Sequence, residues 1–146
     1  MRAITDKGIA LIMRFEGFSP TIYICVAGYP TIGYGHRVLA GEDFSQGISE
    51  PQAKAVLLRD VQATQVAVLR LIDVPLSNGH YDALVSFTYN LGAGALQRSA
   101  LRRCINRGEY ESAPAQLMRW VWAAGCRQKG LIARRKAEAV RYCEGT

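Results

Sequence analysis

The stretch from Ser49 to Ile72 constrains the fold most. Ser49, with Pro51 in the first turn and Gln52 three residues on, is a strong helix start. The set Leu57, Leu58, Val61, Val68, Leu69 and Ile72 then keeps helical spacing, so that from Ser49 the helix runs for more than twenty residues until Pro75 stops it. That is long for a globular helix, and in a chain of 146 residues it reads as a bridge. The expected organisation is one α+β domain, 1–146, in three parts. These are a small lobe at 1–48 with a β-hairpin, a linking helix at 49–73 and a helical lobe at 74–146.

A first helix is expected from about Thr5 to Phe15, with Thr5 as N-cap and Gly17 as terminator. Its apolar stripe, Ile9, Ile12 and Met13, has position 16 as its next member, and that residue is Glu16. A carboxylate there is partly desolvated, which favours the proton-carrying form. Residues 21 to 39 read as short strands, closed by "TIGYGHRVL", whose glycines mark close backbone approach. Beyond the linking helix, Ser77 caps a helix that breaks at Gly92–Gly94. A further helix through Leu101 and Ile105 ends at Gly108, another runs through Leu117 to Trp122 with Pro114 in its first turns, and a last one begins near Gly130.

Charge narrows the partners. The net charge is +6; residues 1–73 hold seven basic and seven acidic groups, residues 74–146 eleven and five. A basic half has affinity for a polyanion, whether nucleic acid, lipid headgroups or an anionic wall polymer, unless it is a solvated arginine-rich face. No nucleic-acid recognition motif accompanies it. No apolar run approaches a membrane span, and the N-terminus is a poor signal peptide. Cys25, Cys104, Cys126 and Cys143 lack metal-ligand spacing, so no metal is expected, and nothing in the sequence fixes a disulfide pairing. Phosphate-loop and zinc-protease motifs are absent, and no cofactor is expected.

What remains is Glu16. Glycoside hydrolysis needs a carboxylic acid beside the scissile bond, and a Glu at a helix end on an apolar stripe meets that need. The competing reading is an ion pair with an arginine of the second lobe that locks the lobes together. A Cys25–His36 nucleophilic pair is a weaker third.

The motifs "RFEGF", "Y-x-C-x-A-G" and "TIGYGH" resemble the phage-type lysozymes of glycoside hydrolase family 24. So do "LSNGHYDALVSFTYNLGAGALQRSALRRCINRGEYESA", "RW" and "GLIARRKAEAVRY". The family's catalytic signature is Glu, eight residues, Asp or Cys, five residues, Thr. It falls on Glu16, Cys25 and Thr31. The resemblance implies a lysozyme-like fold and hydrolysis, with inversion, of the β-1,4 bond between N-acetylmuramic acid and N-acetylglucosamine in bacterial peptidoglycan. It gives Glu16 the role of acid, and Thr31 and Cys25 that of placing water. It puts Arg37, Tyr89, Ser99 and His36 at the substrate, His36 matching a histidine that is usually structural. The plain alternatives are a core position for Tyr89, a helix N-cap for Ser99 and a solvated Arg37. Arg134 matches an arginine tied to the active-site region, while "AGC" replaces the usual "GGK" before it. The implied protein is a monomeric endolysin that waits in the host cytoplasm until lysis and does not insert into membranes. Because Cys25 stands where Asp is more familiar, two further readings stay open: a lytic transglycosylase and a catalytically weak wall-binding module.

Overall fold

The computed structural model describes residues 1–146. Helix α1 (Asp6–Glu16) starts at the Thr5 N-cap, whose hydroxyl accepts from the Gly8 N–H, and closes where the Gly17 N–H donates to Met13 O. Its buried side chains are Ile9 and Ile12. The chain then forms an antiparallel sheet, β1 (Ser19–Ile24), β2 (Pro30–Gly33) and β3 (His36–Arg37), in that order. Tyr23 pairs with Thr31, and Thr31 with Arg37, so the register lines these three up on one face.

Helix α2 (Glu50–Leu71) carries the full Ser49/Gln52 capping box. At ~1.5 Å per residue it spans ~33 Å. Its buried stripe is Ala53, Leu57, Val61, Val68 and Leu71. Leu58 and Leu69, counted with the stripe from sequence, are 45% and 40% exposed. The stripe instead includes Gln65, whose amide oxygen accepts from the Ile4 N–H at 2.8 Å. A polar side chain with that partner is buried at little cost.

Helix α3 (Asn78–Leu91) runs through the middle, every residue from Tyr81 to Thr88 being buried. One apolar cluster joins it to α1, Tyr34 and α2, and to Leu96, Leu101 and Leu117 from the following helices. Each fully buried Leu or Ile there contributes about 1.5–3 kcal/mol. After α3 come α4 (Ala93–Arg98), α5 (Ala100–Asn106), a 3-10 turn at Tyr110–Ser112 and α6 (Ala113–Leu117). A small hairpin, β4 (Trp122–Ala123) and β5 (Cys126–Arg127), leads into α7 (Lys129–Glu144). Two sequence expectations change here. Gly94 lies inside a short helix rather than in a break. The helix with Pro114 in its first turn forms, but it ends at Leu117 instead of running on to Trp122, which is a strand residue. The cause is the turn: Ala124 at φ 52° and Gly125 at φ 77° reverse the chain as a helix cannot.

Asp82 ties three helices together. Its carboxylate accepts from the Thr5 N–H at 2.9 Å and from the Thr5 hydroxyl at the start of α1, and it pairs with Arg141 of α7 at 2.8 Å. All four cysteines are unpaired.

Candidate active site

An open cleft of about 520 Å³ lies against the three-stranded sheet. Six of the seven residues expected from sequence line it: Glu16, Cys25, Thr31, His36, Arg37 and Tyr89. Ser99 does not. It is 1% exposed and caps α5, its hydroxyl donating to Leu96 O at 2.8 Å and accepting from the Arg102 N–H at 3.0 Å. The substrate contact expected of Ser99 is therefore corrected to a helix N-cap, because both sides of its hydroxyl are already engaged.

Glu16 is the last residue of α1, its side chain 19% exposed. Arg134 of α7 donates to its Oε2 at 2.6 Å. The ion pair that competed with the acid reading thus exists, and it sits in the cleft itself. Gly35 makes room for the carboxylate: a Cβ there would lie 2.5 Å from Glu16 Oε1, and its φ is +79°. Both facts demand glycine. Gly35→Ala is expected to cost at least about 10-fold in activity by displacing the carboxylate. Circular dichroism beside the turnover assay checks that the fold survives.

Lining the same cleft as Glu16 are Cys25, just past β1, and Thr31 on β2. The Thr31 hydroxyl donates to Tyr29 O at 2.9 Å, which leaves its lone pairs to accept. The Tyr29 backbone N–H is the chief cause that holds the Cys25 thiol below its ordinary range. Hydrogen bonds to the anionic form have this sign, so thiolate is more accessible than in a free cysteine. Arg37 stacks on Tyr29, its guanidinium carbon 3.3 Å from the ring centroid. The Tyr89 hydroxyl donates to Tyr34 O at 3.2 Å, and burial, then the Glu16 charge, raise that phenol.

His36 is buried beneath the cleft. Its Nδ1 is 2.6 Å from Asp60 of α2, and its Nε2 is 2.8 Å from Glu42. With both nitrogens engaged by carboxylates it does not pair with Cys25. Burial alone would push the imidazole down; the two carboxylates outweigh it and hold it above its ordinary value. A raised folded-state value gives stability that is full below the unfolded value, about 6.5, and is lost as pH rises through the folded one. Glu42 is held low by the Leu39 N–H and then by His36, so its share of the stability is lost as pH falls from the ordinary carboxylate range through the lowered folded value. His36→Asn is expected to lose about 3 kcal/mol near pH 5.5. Urea titrations across pH should show the gap to the natural protein narrowing at alkaline pH.

Sequence reasoning did not single out Asp60 or Gly35. The repeated glycines of "GYGH" signalled close approach without saying to what. Asp60 carried no signal, since it needs the fold to meet His36.

The sequence profile of the phage lysozyme family matches residues 13–138. An endolysin of Bacillus phage B103 is 38% identical over 146 residues, covering 97% of this chain; the chain spans 54% of that relative's length. Among solved structures, an endolysin from Escherichia coli O157:H7 phage FAHEc1 superposes with a TM-score of 0.89 at 34% identity, over 100% of this chain and 96% of that one. The muramidase domain of SpmX from Asticaccaulis excentricus superposes with a TM-score of 0.88 at 31% identity, over 97% of this chain and 98% of that one. With its lysozyme-like α+β fold, the chain belongs to the phage lysozyme family.

Proposed function

We propose that this protein is a muramidase that cuts the β-1,4 bond between N-acetylmuramic acid and N-acetylglucosamine in bacterial peptidoglycan, by inverting hydrolysis. The observation that carries this reading is the single cleft that Glu16, Cys25 and Thr31 line together. The small lobe at 1–48 and the helical lobe at 74–146, joined by the linking helix, are the jaws that take the glycan strand.

Glu16 donates its proton to the glycosidic oxygen as the bond breaks, and positive charge develops at the anomeric carbon. Water attacks that carbon from the opposite face. The Thr31 hydroxyl accepts a hydrogen bond from this water, and the Cys25 sulfur, held towards its thiolate, takes the proton. A thiol of ordinary acidity, about 8.5, would be a poor base at neutral pH. The Tyr29 N–H lowers Cys25 from that range, the direction that a water-deprotonating role needs. Arg37 and Tyr89 contact the sugar chain, and His36 holds the cleft floor rather than touching substrate.

The protein acts on the cell wall as a monomer, after reaching it from the host cytoplasm at lysis. No helix is long and apolar enough to cross a membrane. The test is protein-free sacculi: the muramidase solubilises them and releases new reducing ends. A wall-binding module would sediment with them and release nothing.

A further inference from the structure

A general acid must hold its proton until the bond breaks, yet a guanidinium, that of Arg134, lies 2.6 Å from Glu16 Oε2. The structure supplies a counterweight on the far side of Arg134. Glu138, one turn further along α7, is 0% exposed, and its Oε2 lies 3.4 Å from Arg134 Nε. Arg134 is thus held on three sides: Glu138 at Nε, Glu16 at Nη1, and the Ser86 carbonyl at 3.2 Å from Nη2. The Ser86 hydroxyl in turn donates to Glu138 Oε2 at 2.5 Å. Arg135 closes the cluster. Its Nε is 2.8 Å from Glu138 Oε1, a charge contact without hydrogen-bond alignment, and its Nη2 donates to Asn90 at 2.6 Å.

Two guanidiniums and two carboxylates make this cluster neutral when Glu16 is ionised and singly positive when Glu16 carries its proton. Without Glu138, protonating Glu16 would mean going from one positive charge to two. In a buried site that step is strongly disfavoured. Burial lowers Arg135 to about 10, still protonated at neutral pH. Burial pushes the Glu138 carboxyl up, and the two guanidiniums and Ser86 pull it back. The other titratable and charged groups that line the cleft with Glu16 are Tyr23 of β1 and Tyr89 of α3, both phenols raised chiefly by burial and neutral over the working range, together with Cys25, Tyr29, Arg37 and the paired His36 and Asp60.

We infer that Glu138 is a positioning residue for the reaction: it fixes Arg134 against Glu16 and offsets the guanidinium's charge beside the acid. The inference rests on Glu16 being the acid. It is tested with pH profiles of kcat and kcat/KM on peptidoglycan. In Glu138→Gln, which keeps the shape and an acceptor for Ser86, the alkaline limb should move down by about one pH unit. At neutral pH kcat should fall about 10-fold with little change in KM. Arg135→Met should move the limb the other way. The double variant Glu138→Gln/Arg135→Met restores a balanced cluster, and its limb should return towards that of the natural protein. A purely structural role would make the double variant the worst of the three.

If Glu138→Gln does not fold, Arg135→Met and the double variant decide. Unmoved limbs, or a double variant that shows no return, overturn the inference. Glu16→Gln is assayed in parallel. If it stays active, the reading of the site fails; if it is inactive while the limbs do not move, only the role of Glu138 fails.

Discussion

A Glu16→Gln variant is expected to fold and to lose about 100- to 10,000-fold in wall-lytic activity, the usual contribution of a general acid. The amide keeps the shape of the carboxylate. Its oxygen still accepts from Arg134 Nη1, now 2.6 Å from Glu16 Oε2, so the contact between α1 and α7 survives in weakened form. What disappears is the transferable proton. Unfolding measured by near-UV circular dichroism should therefore shift little while turnover collapses. Because Glu16 belongs to a buried charge cluster, Glu16→Asp is a useful companion. It keeps the charge but withdraws the carboxyl by one methylene from the Gly35 opening, and should lose activity through misplacement alone.

The Cys25 series has the second largest expected effect. Cys25→Ala removes both the base and a polar wall for the water, and should cost about 100-fold. Cys25→Ser should lose less, about 10-fold, since a hydroxyl still hydrogen-bonds the water but cannot accept its proton at neutral pH. Cys25→Asp should match or exceed the natural protein. Its acid limb should move down into the carboxylate range, because the limb now reports a carboxylate rather than a thiol. If the sulfur were instead a nucleophile, Cys25→Ser would be inactive and the product would retain the β configuration. Substitution is a cleaner probe than alkylation, because Cys126 and Cys143 are exposed and would also react. Disulfide control through these cysteines finds no support in the fold, where all four are unpaired.

Much of this was legible in the chain because local rules and tertiary packing agree. Thr5, Ser49 and Ser77 each cap the helix expected of them, and Gly17 ends α1 as expected. The stripe that placed Glu16 at the end of α1 also aims it into the cleft. The failures fall where short-range signals are outweighed. Leu58 and Leu69 have the composition of a stripe but sit on the wrong side of α2. Trp122 sits after an apolar helical run, yet the turn at Ala124 and Gly125 makes it a strand. Ser99 matched a substrate-contacting position but is the N-cap of α5, the plain alternative that a serine before a helix also offers. The Glu138 cluster was not legible because it assembles from α3 and α7, some fifty residues apart, and a Glu four residues after an Arg on a helix usually reads as a surface pair.

The chemistry of the new chain end tests the central claim most directly. Purified peptidoglycan is digested briefly, and the released fragments are examined by mass spectrometry and by proton NMR before mutarotation is complete. Inverting hydrolysis predicts N-acetylmuramic acid ends that have gained one water and appear first as the α-anomer. Ends lacking that water, closed as anhydro-sugars, or a nascent β-anomer, would contradict it.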